Sequence, residues 1–333
     1  MNTRIALVLG ATGGIGGEFA SRLASSGWQV RALNRNPDRA GREGRFQWIK
    51  GDAMVAADVA KAAEGAALIV HAVNPPGYRD WDKLVLPMLD NTIAAAEANG
   101  ARIVLPGTVY NYGPDAFPDI TDDAPQNPVT RKGKIRQEME RRLKAAASRG
   151  KARVLIVRAG DFFGPTAANS WFSQGLVKAG SRPKAITYPG KRGVGHQWTY
   201  LPDMAEVLLR LIEHPGLQDF ASFNMGGHWD GDGTAMIGAI RRALDEPFLP
   251  VKRTPWLMMR LASPFVTFLK EVMEMRYLWK VPVRLDNAGL VALLGAEPHT
   301  PLDEAVRATL EGIGCLGGED APSVAGRPRL SRA

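Results

Sequence analysis

The sequence predicts a doubly wound α/β fold, in which helices cover both faces of a parallel sheet. Short runs of branched apolar residues, each long enough for one buried strand, alternate with longer segments whose apolar residues recur at helical spacing. A glycine-rich turn joins the first run to the first helical segment. Because each helix returns the chain to the same end of the sheet, this alternation predicts parallel strands. Crossovers between parallel strands are right-handed.

The first predicted strand, residues 5–9, leads into glycines at three-residue intervals, Gly10, Gly13 and Gly16. Apolar side chains then recur at helical spacing between positions 15 and 23. Strand, glycine turn and helix in this order are typical of a Rossmann-type phosphate cradle. The glycines let the backbone approach a pyrophosphate, and the helix N-terminus supplies unpaired N–H groups. A glycine turn without a ligand is the alternative, but both flanking elements favour nucleotide binding.

The second predicted strand, residues 28–33, runs into a basic turn. An acidic residue at this point would accept a hydrogen bond from the ribose of NAD, whereas an arginine accommodates the 2′-phosphate of NADP. Arg35 stands here, with Arg39 and Arg42 close behind. The sequence therefore favours NADP, with NAD as the alternative cofactor. A solvated turn in which Arg35 pairs with Asp38 is the explanation that needs no ligand.

The remaining elements of the sheet follow in order. Strands are predicted at residues 46–50, 67–71, 102–105 and 153–157, and helices at residues 56–63, 81–99 and 131–147. Ligands of doubly wound folds bind beyond the carboxyl ends of the strands. Polar and small residues that follow these strands are therefore candidates for a binding site.

Four motifs then carry a family resemblance. The glycine turn has the pattern Gly-x-x-Gly-x-x-Gly, and Thr108 begins Thr-Val-Tyr-Asn-Tyr-Gly, which is similar to Ser-x-x-Val-Tyr-Gly. Lys134 matches the lysine of Tyr-x-x-x-Lys, and residues 158–165 resemble Arg-Pro-Gly-x-x-Tyr-Gly-Pro. The chain thus resembles the extended or atypical short-chain dehydrogenase/reductases, the NAD-dependent epimerase/dehydratase-like proteins, as far as about residue 227.

The resemblance implies roles for individual residues. Thr108 falls at the family's catalytic Ser/Thr position, and Lys134 falls at the position of the lysine that binds the nicotinamide ribose. Asp52 falls at the position of an aspartate that contacts adenine, and Asn91 at that of an asparagine that the family carries on a helix. The residues expected to bind the cofactor are Gly10, Thr12, Gly13, Gly14, Ile15, Gly16, Asn34, Arg35, Asp52, Ala53, Ala72, Val73, Asn74, Lys134, Ala159 and Gly160.

One departure from the family pattern concerns the proton donor. Thr130 stands where the family has its catalytic tyrosine, four residues before the lysine. A threonine hydroxyl cannot exchange a proton near neutral pH as a phenol beside an ammonium can. The sequence offers replacements by position, with Tyr110 as the first choice. The others are Tyr112, His196 and Tyr200. For each of them, a packed and hydrogen-bonded aromatic ring is the alternative.

The chain is expected to divide into two domains and a tail. Residues 1–165 would bind the nucleotide, with a return at about 196–227, and residues 166–195 and 228–315 would form a mostly helical substrate domain. The last residues, 316–333, are expected to be disordered because they are rich in Gly, Pro, Ser and Arg. Apolar residues at helical spacing between 256 and 272 predict core packing, with a substrate wall or a membrane-surface contact as the alternative.

Composition narrows the function classes. Among the 333 residues, a single cysteine, Cys315, excludes a disulfide framework and thiolate zinc sites, and the five histidines lack metal-binding spacing. The formal charge of +8 suits anionic cofactors, and the basic helix near residue 131 also carries acids, so no nucleic-acid partner is expected. Without a signal-peptide pattern or a long apolar segment, the sequence predicts a cytoplasmic protein with no membrane partner and no metal, and a homodimer is left open.

These observations together predict an NADP-dependent oxidoreductase that transfers hydride to or from a small carbonyl or alcohol substrate. Thr108 would orient the substrate oxygen, Lys134 would hold the ribose and another group would move the proton. The absence of the family tyrosine keeps a second hypothesis open. In that hypothesis the protein binds NADP(H) as a sensor or scaffold and catalyses nothing.

Overall fold

The structure, a computed structural model, describes residues 4–40, 44–75 and 80–316, with the side chains of residues 39 and 40 left out. Its strands are β1 (Ile5–Leu9), β2 (Gln29–Asn34), β3 (Gln47–Lys50), β4 (Leu68–His71), β5 (Arg102–Thr108), β6 (Asp119–Ile120), β7 (Arg153–Ala159), β8 (Asp161–Phe163), β9 (Ile186–Tyr188), β10 (His196–Tyr200), β11 (Phe220–Asn224), β12 (His228–Asp230), β13 (Val251–Arg253) and β14 (Arg284–Leu285).

The helices alternate with these strands through the first half of the chain. They are α1 (Gly14–Ser25), α2 (Pro37–Ala40), α3 (Ala56–Ala62), α4 (Trp81–Asn99), α5 (Arg131–Ser148), α6 (Leu201–Glu213), α7 (Ala235–Leu244), α8 (Trp256–Ala262), α9 (Thr267–Glu274), α10 (Ala288–Leu294) and α11 (Leu302–Gly312). The predicted elements of the first half are therefore present, and their ends differ from the prediction by a few residues.

The main sheet has seven strands in the order β11-β7-β5-β4-β1-β2-β3, and neighbouring strands are parallel throughout. Helices cover both faces, so the predicted doubly wound, Rossmann-type α/β fold is confirmed. The seventh strand, β11, was missed by the sequence prediction. It is an edge strand with the sequence Phe-Ala-Ser-Phe-Asn, which lacks the branched apolar run of a central strand.

Strands β5 and β7 continue beyond their predicted ends. Pro106 and Gly107, which suggest a break in the sequence, pair with Val157 and Arg158 inside the sheet. A Cβ at position 107 would lie 2.8 Å from Cγ of the Arg158 side chain. Glycine therefore allows the close approach that carries the strand to Thr108.

Two apolar cores cover the two faces of the sheet. On one face α1 and α6 contribute buried side chains such as Phe19, Leu23 and Leu208. On the other face α3, α4 and α5 contribute buried side chains such as Leu89 and Leu143. The apolar residues that recur at helical spacing in α1 therefore form its buried face. Burial of that face stabilises the helix against the sheet.

The rest of the chain packs around two further cores. One joins α7 and α11 to a small sheet of β12, β10 and β8 and includes Trp198, Ile240 and Leu310. The other lies under the loop after β5 and includes Tyr112 and Leu278. Within residues 228–315, which the sequence predicts to be mostly helical, α7 and α11 are present, and short strands accompany them.

The prediction of core packing for residues 256–272 is wrong for most of its apolar side chains. Leu257, Leu261 and Phe268 are exposed to solvent, and Phe265 is 88% exposed. Pro264 lies between two short helices, α8 and α9, because proline cannot continue a helical hydrogen-bond ladder. The apolar spacing therefore marks an amphipathic pair of helices whose apolar side faces outward.

The predictions for Arg42 and for the C-terminal tail concern residues that the structure does not describe. Arg42 and residues 317–333, the main part of the predicted tail, lie outside the described residues. Among the residues that are described, no helix combines the length and the apolar character needed to cross a bilayer.

Candidate functional site

The carboxyl ends of the parallel strands bring the predicted cofactor-binding residues to one edge of the sheet. The last residue of β1, Leu9, pairs with Leu33 on one side and His71 on the other. At the ends of β5 and β7, Thr108 pairs with Ala159. The glycine turn, the loop after β4 and the loops after β5 and β7 therefore open onto the same space, where doubly wound folds bind ligands.

The three glycines of the first turn have different environments. Gly10 has a φ of +94°, and a Cβ there would lie 2.5 Å from the Ala72 carbonyl oxygen. A Cβ on Gly16 would lie 2.3 Å from the Gly10 carbonyl oxygen. A Cβ on Gly13 would meet only that same oxygen, at 3.3 Å. The backbone thus leaves no room for a side chain at Gly10 or Gly16, whereas position 13 is approached less closely, and only by the Gly10 carbonyl oxygen.

Helix α1 begins at this turn with its N-terminal N–H groups uncapped by any described side chain. Gly13 is its N-cap residue and carries no side chain to accept from them, and the first turn has no acidic residue. Thr12 is exposed, and Gly14 and Ile15 are half-buried. The positive end of the helix dipole and the unpaired donors suit a bound anion such as a pyrophosphate.

The basic turn after β2 leaves an arginine available. Arg35 is exposed and makes no ion pair with Asp38 or with any other carboxylate in the described residues. Asn34 accepts a hydrogen bond from the Asn36 backbone N–H at 2.8 Å through its Oδ1 atom, so it shapes the turn. The position of Arg35 at the end of β2 is the one that the sequence prediction required.

The loop after β3 is held by its own polar groups. Asp52 Oδ1 accepts from the Met54 N–H at 3.0 Å, and the Asp52 N–H donates to Asp58 Oδ2 at 2.9 Å. Asn91, on α4, donates from Nδ2 to the Ala53 carbonyl oxygen at 2.9 Å. This contact gives Asn91 a positioning role that the sequence did not reveal. In the next loop Ala72 and Val73 are half-buried and Asn74 is exposed.

Thr108 and Lys134 lie on elements that touch. Thr108 is half-buried, and its hydroxyl accepts a hydrogen bond from the Tyr110 N–H at 3.2 Å. A Cβ on Gly133 would lie 2.3 Å from the Tyr110 carbonyl oxygen, so the start of α5 packs directly on the loop that follows Thr108. Lys134 is the next residue and is exposed, and its ammonium makes no ion pair within the described part of the chain.

Thr130 has a structural task at the start of the same helix. It is the N-cap residue of α5, and its buried hydroxyl accepts a hydrogen bond from the Gly133 N–H at 3.0 Å. A tyrosine cannot make this bond, because its phenolic oxygen lies too far from its own backbone. Thr130, which the sequence prediction aligned with the family's tyrosine, thus has a capping role in the structure.

Two of the candidate proton donors are buried phenols. Tyr112 is fully buried, and burial raises the pKa of its phenol to about 12 although the Arg158 guanidinium opposes that shift. Burial likewise raises the pKa of Tyr200, which packs 5.3 Å from the Phe163 ring, to about 12. Neither phenol is poised to exchange a proton near neutral pH. Tyr110 is half-buried beside Val109.

The remaining candidate, His196, lies beside a carboxylate in a cleft. Its Nε2 atom is 2.8 Å from Asp161 Oδ2, and its ring stacks on Trp279 with centroids 3.7 Å apart. Val109 and Gly160, which follow Thr108 and Ala159, line the same cleft. The sequence suggested His196 by position alone. Its pairing with Asp161, 35 residues away, appears only in the tertiary structure.

The sequence of the chain matches a known protein family. The model of the NAD dependent epimerase/dehydratase family matches residues 6–226. A curated relative, the uncharacterized protein y4nL of Sinorhizobium fredii (strain NBRC 101917 / NGR234), is 26% identical over 238 residues. That match covers 64% of this chain and 65% of the relative, so the chain spans about two thirds of the relative's length.

Solved structures share the fold. The structure of MoeE5 in complex with UDP-glucuronic acid and NAD superposes with a TM-score of 0.72 at 17% identity. The UDP-glucuronic acid 4-epimerase of Bacillus cereus in complex with NAD gives a TM-score of 0.73 at 16% identity. Each comparison covers 93% of this chain and 98% of the other. At these identities the likeness is one of fold.

The hydrogen bond from Gly133 to Thr130 yields a stability prediction. Thr130→Ala removes the cap acceptor and is expected to lower the free energy of unfolding by about 1 kcal/mol. Thr130→Ser keeps the hydroxyl and is the matched control, which should retain most of that stability. Urea denaturation of both variants measures the difference. Equal stability of Thr130→Ala and the unmodified protein would show that the cap contributes nothing.

Proposed function

The chain belongs to the NAD dependent epimerase/dehydratase family, and from this premise we propose that it is an oxidoreductase that uses a nicotinamide dinucleotide. The pyrophosphate would bind at the glycine turn, and hydride would pass between the nicotinamide and a carbonyl or alcohol carbon of a small substrate. The observation that carries this proposal is the uncapped N-terminus of α1, which begins at a glycine turn where Gly13 presents no side chain.

We assign the adenine end of the cofactor to the loops after β2 and β3. Arg35 would pair with a 2′-phosphate, which makes NADP the preferred cofactor. Asp52 and Ala53 would line the adenine site, with Asn91 as the anchor of their loop. The MoeE5 and Bacillus cereus structures are complexes with NAD, which supports a nicotinamide dinucleotide as the cofactor class.

At the other end of the site, Thr108 and Lys134 would take the roles that their positions in the family motif imply. The Thr108 hydroxyl would hydrogen-bond to the substrate oxygen, and the Lys134 ammonium would hydrogen-bond to the nicotinamide ribose. When bound, the dinucleotide supplies or accepts the hydride. The direct packing of Gly133 on the Tyr110 carbonyl supports this pairing, because it holds the start of α5 against the Thr108 loop.

We propose His196 as the group that exchanges the proton. Histidine is the side chain best suited to acid–base chemistry near neutral pH, and a carboxylate on one ring nitrogen fixes the orientation of the ring. Asp161 occupies that place at 2.8 Å, and the cleft that His196 lines is shared with Val109, the neighbour of Thr108. Tyr110, the first choice on sequence grounds, is the competing donor, because it is half-buried at the same loop.

The second half of the chain would provide the substrate side of the site. We propose that residues 166–195 and 228–315 form the substrate domain, since Leu278 and Val283 line the cleft beside His196. MoeE5 and the Bacillus cereus epimerase have been solved in complex with UDP-glucuronic acid, which makes sugar nucleotides the first substrates to test. We further propose a cytoplasmic location, because a single cysteine suits a reducing compartment.

A second candidate function is an NADP(H)-binding sensor or scaffold without turnover. The observation that favours it is that position 130, four residues before Lys134, carries a threonine that caps the helix in place of a phenol. The two candidates share the cofactor site and differ in catalysis. Turnover of a compound in a substrate screen with NADPH would separate them.

The cofactor site is tested by Gly13→Val. The branched side chain would fill the space above the turn, so binding of NADPH is expected to weaken about tenfold or more, since charge-assisted hydrogen bonds to the pyrophosphate would be lost. The melting temperature should fall only slightly, because a Cβ at position 13 meets one backbone oxygen at 3.3 Å. Gly16→Val is the contrasting variant, because its side chain would collide with the Gly10 carbonyl and destabilise the fold. Normal NADPH binding by Gly13→Val would exclude the turn as the phosphate site.

Cofactor preference is tested at Arg35. The affinity for NADPH is expected to exceed the affinity for NADH by about tenfold or more. A charge-assisted contact to the 2′-phosphate contributes about 1.5–3 kcal/mol of binding free energy. Arg35→Ala should remove most of that difference and leave NADH binding unchanged. Calorimetric titration of both cofactors measures it. Equal affinities in the unmodified protein would identify NAD as an equivalent cofactor and refute the role of Arg35.

Proton transfer is tested by His196→Asn with Tyr110→Phe as the paired variant. Once a substrate is found by screening carbonyl compounds and sugar nucleotides with NADPH, His196→Asn should lower kcat by about a hundredfold or more. The affinity for NADPH should not change, and Tyr110→Phe should affect kcat much less. A large loss in Tyr110→Phe alone would assign the proton to Tyr110. Cofactor binding without turnover of any compound in the screen would favour the sensor.

A further inference from the structure

Helices α8 and α9 form an apolar surface that the proposed reaction does not use. We call residues 256–274 the apolar hairpin. Met258 is 71% exposed and Phe265 is 88% exposed, although both are large apolar side chains. The other exposed apolar side chains of the hairpin are Leu257, Leu261, Val266 and Phe268. Isolated exposed apolar residues are common in proteins, but six within the twelve positions 257–268 make a patch of the kind that marks an interaction site.

The opposite side of the hairpin is firmly anchored to the body of the protein. Trp256 donates from Nε1 to the Pro189 carbonyl oxygen at 2.9 Å. Glu271 is buried, and its carboxylate lies 2.7 Å from both the Arg131 guanidinium and the Lys132 ammonium at the start of α5. These contacts hold the helices in place, so the apolar side chains remain turned toward solvent.

Positive charge surrounds the apolar patch. Between residues 248 and 284 the chain has two acids, Glu271 and Glu274, and both pair with the buried Lys132. The same stretch has seven basic residues, and those with exposed positions on or beside the hairpin include Lys252, Arg253, Arg260 and Lys270. An occupant of this surface must therefore be apolar at its centre and negatively charged around it.

We propose that the apolar hairpin docks on an anionic lipid surface. Its leucine, methionine and phenylalanine side chains would enter the acyl boundary, and the flanking lysines and arginines would contact lipid phosphates. A second copy of the chain is a poor occupant, since two such faces would bring like charges together. The last residues, 317–333, are a poor occupant as well, because their only large apolar residues are Val324 and Leu330.

The dimensions of the hairpin indicate a contact that lies along the membrane surface. Helices α8 and α9 contain 7 and 8 residues, and a membrane-spanning helix needs about 20. Two short amphipathic helices joined at Pro264 can instead lie in the plane of the interface. This inference is independent of the proposed reaction, because none of the patch residues belongs to the candidate site.

Vesicle co-sedimentation tests the proposal with the full-length protein. The protein should sediment with vesicles of equimolar phosphatidylcholine and phosphatidylglycerol. Its binding to vesicles of phosphatidylcholine alone should be weaker by about tenfold or more. The double variant Leu257→Glu/Phe265→Glu should weaken binding to the anionic vesicles about tenfold or more. Val55→Glu is the matched control, since Val55 is an exposed apolar residue on another part of the surface.

Each result decides for or against the lipid surface. Retained binding by Val55→Glu together with loss in the hairpin variant supports it, provided that both variants melt at the temperature of the unmodified protein. The proposal fails if the unmodified protein leaves the anionic vesicles in solution, or if the hairpin variant binds them unchanged. It also fails if sedimentation velocity shows a dimer that Leu257→Glu/Phe265→Glu converts to a monomer, because the patch would then belong to a second copy.

Discussion

The site depends on one constraint, the close contact between the backbone of the first turn and the backbone that follows β4. Neither Gly10 nor Gly16 could carry a Cβ, because the carbonyl groups of Ala72 and Gly10 already occupy that space. These contacts fix where α1 begins relative to the end of the sheet, so its uncapped N–H groups face the space beyond the strands. The loops that bear Thr108 and Gly160 reach the same space because every strand of the sheet runs in one direction.

The start of α5 must satisfy several contacts within five residues. Thr130 caps the helix, Gly133 packs on the Tyr110 carbonyl, and Lys132 is buried against Glu271. Burial of an ammonium is costly unless a carboxylate compensates it, so this pair ties α5 to the apolar hairpin. Arg131 and Lys134 are the exposed residues of this segment, and Arg131 pairs with Glu271. In the proposed reaction Lys134 would hold the ribose, and the proton would come from Tyr110 or from His196 on the opposite wall of the cleft.

That opposite wall belongs to the smaller sheet. A Cβ on Gly160 would lie 2.4 Å from the Gln197 carbonyl oxygen, so the strand end that follows Ala159 is pressed against β10. Asp161 lies two residues after the end of β7 along the chain. His196 lies two residues before Trp198, which pairs with Asp161 across the strands β10 and β8. Fold membership alone says nothing about such a pair, since function resides in the particular residues that a fold brings together.

The sequence by itself determined the order of strands and helices, the glycine turn and the family, because buried strands, helical spacing and glycine patterns are local. It missed β11, whose edge position leaves no apolar run, and it gave β5 too early an end at Pro106. Only the tertiary structure paired His196 with Asp161 and turned the apolar side of α8 and α9 outward. Spacing along a helix shows that one side is apolar, but what covers that side depends on residues distant in the chain.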